Sequence, residues 1–89
     1  MPRVVFTANL RRHVDCPPQV VEGTSVRAAL EAVFERLPAV AGYIVDERFR
    51  LRQHVVVFVD GQPIQDRETQ TDPVAAQSEV YVMQALSGG

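Results

Sequence analysis

The chain has 89 residues, 46% of them hydrophobic, and a formal net charge of −2. That is one domain, able to bury roughly 60 to 65% of its unfolded surface and to fold without staples. Charges of both signs spread along the chain exclude a polyanion-binding role, the single cysteine (Cys16) excludes a disulfide framework or a cysteine-rich zinc site, and no apolar run is long enough to span a bilayer.

No basic and apolar leader opens the sequence, so the expectation is a soluble, cytoplasmic protein with neither a nucleic-acid nor a membrane partner. All nine basic residues are arginine. A lysine-free body offers no side-chain amine to an activated acyl group of its own kind, although a genome rich in G and C produces the same bias.

The stretch RVVFTANLRRHV (Arg3–Val14) opens with β-branched and aromatic residues and reads as a first strand; PQVVEG (Pro18–Gly23), after Pro17 and Pro18, reads as a second. GTSVRAALEAVFERLP then changes period. Val26, Ala29, Leu30, Val33, Phe34 and Leu37 recur at three and four, with Ser25 or Thr24 placed as a cap, which predicts an amphipathic helix ended by Pro38. Ala39–Arg52 reads as irregular, and the charges of DERFRLR as a solvated loop. HVVVFVDGQPI reads as a strand, an Asp60-Gly61 turn and a short return; DRETQTDPVAAQ (Asp66–Gln77) as a loop; and SEVYVMQA (Ser78–Ala85) as a last strand.

The order β-β-α-β-β-β predicts an α+β fold, a sheet with one main helix packed on one face. Alternation assigns Val55, Val57, Val59, Val80 and Val82 to the helix side, joined by Val4, Phe6 and Leu10. The opposite face receives Val5, Val56, Phe58, Tyr81 and Met83, where a one-sided sheet ordinarily carries polar residues. So apolar a face points to a partner surface at Val56, Phe58, Tyr81 and Met83.

The sequence resembles the β-grasp sulfur carriers of the MoaD/ThiS type, which are related to ubiquitin. The resemblance covers nearly the whole chain and rests on NLRRHV, on GTSVRAALEAVFERLP, on LRQHVVVFVDGQPI, and on SEVYVMQALSGG with its Gly88-Gly89 pair. It implies a β-grasp mixed sheet over residues 1–84 followed by a flexible diglycine tail over 85–89. It also implies that a ThiF/MoeB-type enzyme uses ATP to adenylate the carboxylate of Gly89, that a sulfur donor displaces AMP to leave a thiocarboxylate, and that a biosynthetic enzyme accepts the sulfur. On that reading the chain is not itself an enzyme and binds no cofactor or metal.

The chemistry accounts for the tail residues Leu86, Ser87, Gly88 and Gly89. A free carboxylate is a poor electrophile, whereas its mixed anhydride with AMP carries a good leaving group. Glycines lacking Cβ let the chain lie against the walls of a narrow cleft, and an extended stretch from Leu86 to Gly89 reaches about 13 to 14 Å. Small subunits of molybdopterin synthase carry proline just after the last strand. Here the positions read Met83-Gln84-Ala85-Leu86-Ser87, which favours synthesis of cysteine or of another thiolated metabolite or cofactor over that role. A ubiquitin-like modifier conjugated through Gly89 would use the same activation chemistry.

Cys16 and His13, three residues apart, lack a third residue to orient the histidine as a base, and His54 falls on the outward set of its strand as a polar rim residue. Two histidines and one cysteine this dispersed do not make a metal site.

Overall fold

A computed structural model of the chain describes residues 1–84. Strand β1 is short, Arg3–Phe6, and a helical turn, α1 (Ala8–Arg11), follows Thr7 directly. The extended reading of Arg3–Val14 is thus corrected after Phe6: the helical turn carries Leu10 into the core, where it is fully buried. Strand β2 (Gln19–Val20) returns antiparallel to β1, with Arg3 opposite Val20 and Val4 opposite Gln19.

The main helix, α2, spans Val26–Arg36. Its first amides have no partner within the helix, so each needs an acceptor from outside it. Ser25 Oγ accepts from the Ala28 N–H at 3.1 Å, while the N–H groups of Val26 and Arg27 donate to the carbonyls of Asp72 and Gln70, both at 2.9 Å. The loop that reads as featureless in the sequence therefore closes the helix N-terminus. It is wound around the Asp66 carboxylate, which accepts from the backbone N–H groups of Glu68, Thr69 and Thr71 and from the hydroxyls of Thr69 and Thr71. Asp72 in turn accepts from the amides of Gln65 and Asp66. Gln70, fully buried with φ 51°, donates its side-chain amide to the carbonyls of Phe49 and Arg67 and ties this loop to the preceding one.

Pro38 does not simply end a helix. It begins a second one, α3 (Pro38–Ile44), after α2 has stopped at Arg36. Proline suits the first helical turn, where its missing N–H would have had no partner. The irregular reading of Ala39–Arg52 is corrected accordingly, since Val40 and Ile44, four apart, are both fully buried. DERFRLR is likewise more than a solvated loop. The Asp46 carboxylate accepts from the N–H groups of Arg48 and Arg50, Leu51 is buried and pairs with Val45, and Phe49 packs against Phe34 with ring centroids 5.6 Å apart.

Strands β3 (Val55–Val59) and β4 (Gln62–Pro63) form the expected hairpin. Positive φ at both Asp60 (50°) and Gly61 (84°) matches the turn whose twist suits a two-residue hairpin. Strand β5 (Glu79–Gln84) completes a five-stranded sheet in the order β2-β1-β5-β3-β4. It lies in the middle, parallel to β1 and antiparallel to β3. The observed fold is the expected α+β mixed sheet with α2 on one face, supplemented by two short helices. Val26, Ala29, Leu30 and Val33 of α2 share one core with Val4, Phe6, Val55, Val57, Val80 and Val82.

Gly23, at φ 154°, lies where the chain enters α2, and a Cβ built there would sit 2.9 Å from the Ala29 backbone nitrogen. Backbone on both sides of that contact leaves no flexible group to yield, so Gly23→Ala should destabilise the fold by about 1–3 kcal/mol, read as a lower urea midpoint.

The hydroxyl of Thr69, its N–H and the other donors of the loop hold the Asp66 carboxyl well below the usual carboxylate range. Its folded pKa lies below the unfolded value, so the stability it contributes is present above about pH 4 and is lost as pH falls through the folded value. Asp66→Ala should lower the urea midpoint at neutral pH. The gap from the unsubstituted protein should then narrow as pH is lowered below about 4.

Candidate functional site

The side chains that point away from α2 form a continuous surface because the strand registers bring them level. In one row Val5 pairs with Tyr81, Tyr81 with Phe58, and Phe58 with Pro63. In the next, Met83 pairs with Val56. Val5, Val56, Phe58, Tyr81 and Met83 are each half-buried, while the alternate residues Val4, Val55, Val57, Val80 and Val82 are buried in the core. The period-2 reading thus places these residues together on one face. Phe58, Tyr81 and Met83, with Gly61 and Glu79, also line a shallow depression of about 350 Å³. Glu79 and Gly61 escaped the sequence reading, although Glu79 has the strand parity of Tyr81 and Met83 and was available from that signal alone.

The rim of this face is polar. Arg3 lies opposite Glu79 in the parallel register, and the Glu79 N–H donates to Asp60 Oδ1 at 2.9 Å while the Asp60 N–H donates back to the Glu79 carbonyl at 3.0 Å. That reciprocal pair fixes the β3–β4 turn against β5 and so sets one wall of the depression. His54 is exposed just before β3, consistent with a rim position. Leu86, Ser87, Gly88 and Gly89 lie outside the described residues.

A larger depression, about 500 Å³, lies among Asp46, Arg50, Leu51, Gln53, Arg67 and Glu68. Its cations are already committed. Arg50 pairs with Asp46 at 3.1 Å, and Arg67 donates to the carbonyls of Val55 and Arg52. The Arg50 N–H holds the Asp46 carboxyl below its usual range. These contacts pin loop to strand and occupy both arginines of the depression.

The Cys16–His13 pair is separated by burial: Cys16 is 1% exposed within the core cluster, whereas His13 is exposed. Burial pushes the Cys16 thiol up, with Arg11 opposing and Asp15 adding to the effect. A thiol kept protonated and covered is a poor nucleophile. Among the described residues no cluster of three His, Cys, Asp or Glu side chains is arranged to hold a metal ion, and no helix is long and apolar enough to cross a membrane.

The fold and this open face define the class of ubiquitin-like β-grasp proteins. The chain belongs to the ThiS family, which it matches over residues 4–89. No curated protein matches it significantly. Among solved structures, a chain of the Amycolatopsis orientalis BexX/CysO complex superposes with a TM-score of 0.83 at 19% identity, with all of both chains covered. SAMP1 of Haloferax volcanii gives 0.79 at 23% identity, covering 99% of this chain and 98% of that one. Mycobacterium tuberculosis CysO gives 0.80 at 15%, covering 97% and 100%.

Folded protein should react with a thiol reagent at Cys16 at least roughly a hundredfold more slowly than protein in denaturing urea, because reaction requires an opening of the core. Reagent consumption followed by absorbance, with and without urea, measures the ratio.

Proposed function

We propose that this chain is a sulfur carrier whose Gly89 carboxylate is adenylated by a ThiF/MoeB-type enzyme and converted to a thiocarboxylate that donates sulfur in the synthesis of cysteine, a thiolated metabolite or a cofactor. The observation that carries the reading is the family match, which runs through Gly89. The apolar outward face of the sheet supports that reading as a surface on which the enzyme could dock. Tyr81 and Met83 lie on the outward face of β5, and Gln84 leads in sequence directly into Ala85-Leu86-Ser87-Gly88-Gly89. An enzyme seated on that face would have the acyl end within reach of its active site.

The division of labour follows from chemistry. The partner binds ATP, the Gly89 carboxylate oxygen attacks the α-phosphorus as pyrophosphate leaves, and the AMP anhydride makes the carbonyl carbon of Gly89 electrophilic. A sulfide-level sulfur nucleophile from the donor attacks that carbon, the C–O bond to AMP breaks, and AMP leaves with the electron pair to give the thiocarboxylate. The chain contributes the acyl group and the recognition surface, and ATP is bound by the enzyme. A CysO-like role is supported by the fold shared with CysO, and a partner complex by the BexX/CysO assembly. Conjugation through Gly89 is the second reading, favoured by the shared fold of the small archaeal modifier proteins from Haloferax volcanii and Methanosarcina acetivorans. The molybdopterin synthase role is disfavoured by the sequence Met83-Gln84-Ala85-Leu86-Ser87, which has no proline after the last strand.

Deletion of Gly89, or of Gly88 and Gly89, should abolish thiocarboxylate formation in a reconstituted reaction with the activating enzyme, ATP and a sulfur donor. Glycine has no side chain to bury and the described core residues run from Val4 to Val82, so stability should change by less than about 0.5 kcal/mol. Sulfur acceptance by the truncated chain would remove Gly89 from the reaction.

Phe58→Glu should keep the circular dichroism spectrum and weaken association with the activating enzyme. An apolar anchor near the centre of an interface commonly contributes about 2 kcal/mol, or roughly thirtyfold in Kd. Unchanged affinity with an intact fold would take the face out of docking.

A further inference from the structure

The reactive end proposed above raises the question of what else on the same chain it would acylate. An activated carboxyl is captured by amines and thiolates, and a carrier present at high local concentration around its enzyme meets other copies of itself. The nucleophiles available on the folded body can be counted. There is no lysine, since all nine basic side chains are arginine, whose guanidinium stays protonated and unreactive at neutral pH. The one thiol, Cys16, is 1% exposed and enclosed by core residues. Serine, threonine and tyrosine hydroxyls are weak nucleophiles without an adjacent base. Acylation of the exposed imidazoles of His13 or His54 would give adducts that water hydrolyses. The α-amine of Met1 is the one remaining amine.

The fold does not by itself require arginine at every one of these positions. Arg36 donates to the Val20 carbonyl at 2.9 Å, Arg52 to that of Gly42 at 2.7 Å, and Arg67 to those of Val55 and Arg52. Arg27 and Arg50 pair with Glu31 and Asp46, and Arg27 also lies over the Phe49 ring at 4.2 Å. At those places the planar fork has a structural use that an ammonium would serve less well. Arg3, Arg11, Arg12 and Arg48 are different. They are exposed, and among the described residues their side chains donate no hydrogen bond, so lysine would satisfy the same packing.

We propose that the side chains of the folded body are inert toward its own activated end: no side chain of a second copy can capture the Gly89 acyl group, which leaves external nucleophiles and the Met1 α-amine as its acceptors. The inference rests on activation at Gly89. It assigns the chain an acyl role without side-chain branching, in which conjugation to another protein would build no lysine-linked polymer, because the attached copy presents no lysine for the next.

The avoided step is amide formation. A lysine amine attacks the carbonyl carbon of the Gly89 acyl adenylate, the bond from that carbon to the AMP oxygen breaks, AMP leaves with the electron pair, and the nitrogen sheds one proton to water. The experiment supplies the missing amine. Full-length chain, Arg12→Lys and Arg48→Lys are each incubated with the ThiF/MoeB-type enzyme, Mg-ATP and no sulfur donor, and products are read by intact mass and by peptide mapping of any dimer. A parallel arm contains hydroxylamine, which converts the acyl adenylate to a hydroxamate and so reports activation independently.

Hydroxamate should form from all three proteins. Side-chain-linked dimer should be absent from the unsubstituted chain and present in the lysine variants, rising about tenfold per pH unit between about pH 7 and 9, as the free-amine fraction of a lysine does. Hydroxamate together with side-chain-linked dimer of the unsubstituted chain would overturn the inference alone, as would lysine variants that form hydroxamate but no dimer. No hydroxamate from any of the three would overturn activation at Gly89, and the inference with it.

Discussion

The pairing of β5 on both of its edges is the constraint on which the rest of this structure depends. Residues Glu79 to Val82 run parallel beside β1, and Val80 to Gln84 run antiparallel beside β3, so the last strand is the middle of the sheet. Its inward residues, Val80 and Val82, are fully buried, and each contributes on the order of 1.5–3 kcal/mol by leaving water. Its outward residues, Tyr81 and Met83, join Val5, Val56 and Phe58 across the neighbouring strands. A one-residue slip of β5 would exchange these two sets and destroy core and face together. The strand that leads in sequence to Gly88-Gly89 is therefore paired in register on both of its edges.

The second half of the architecture is the helix that covers the inner face and the loop that closes it. Helix α2 donates its first two amides to carbonyls of Asp72 and Gln70, so the 66–72 loop is an extension of the helix cap. The Asp66 carboxylate organises that loop from within, and buried Gln70 joins it to the loop after α3. This assembly lies on the side of the sheet opposite the outward face. The charged loops hold the scaffold, and the apolar sheet face of Val5, Val56, Phe58, Tyr81 and Met83 is left uncovered by any of the described helices.

Strands and the main helix were legible because their hydrophobic periods are clean. VVVFV and EVYVM alternate, and VRAALEAVFER repeats at three and four. The outward face was legible for the same reason, since alternation that fixes the buried set also fixes its complement. The short helices were not, because four or seven residues give too little periodicity to read: Leu10 alone marks α1, and Val40 with Ile44 marks α3. Pro38 misled because proline signals both the end of one helix and the first turn of the next. The cap supplied by Gln70 and Asp72 was invisible, since a tertiary hydrogen bond from backbone to backbone has no sequence signature. Glu79 was overlooked at the depression because an acidic residue beside a turn reads first as a solvated one.

The proposed function comes down to one chemical claim, that the folded body presents Gly89 as an acyl group for sulfur. The direct measurement is mass spectrometry of the protein recovered from the cells that make it, followed by fragmentation of its C-terminal peptide. The expected result is a fraction of molecules in which one oxygen of the Gly89 carboxylate is replaced by sulfur. A population carrying only the unmodified carboxylate, with Gly-Gly branches found on the lysines of other proteins, would contradict it.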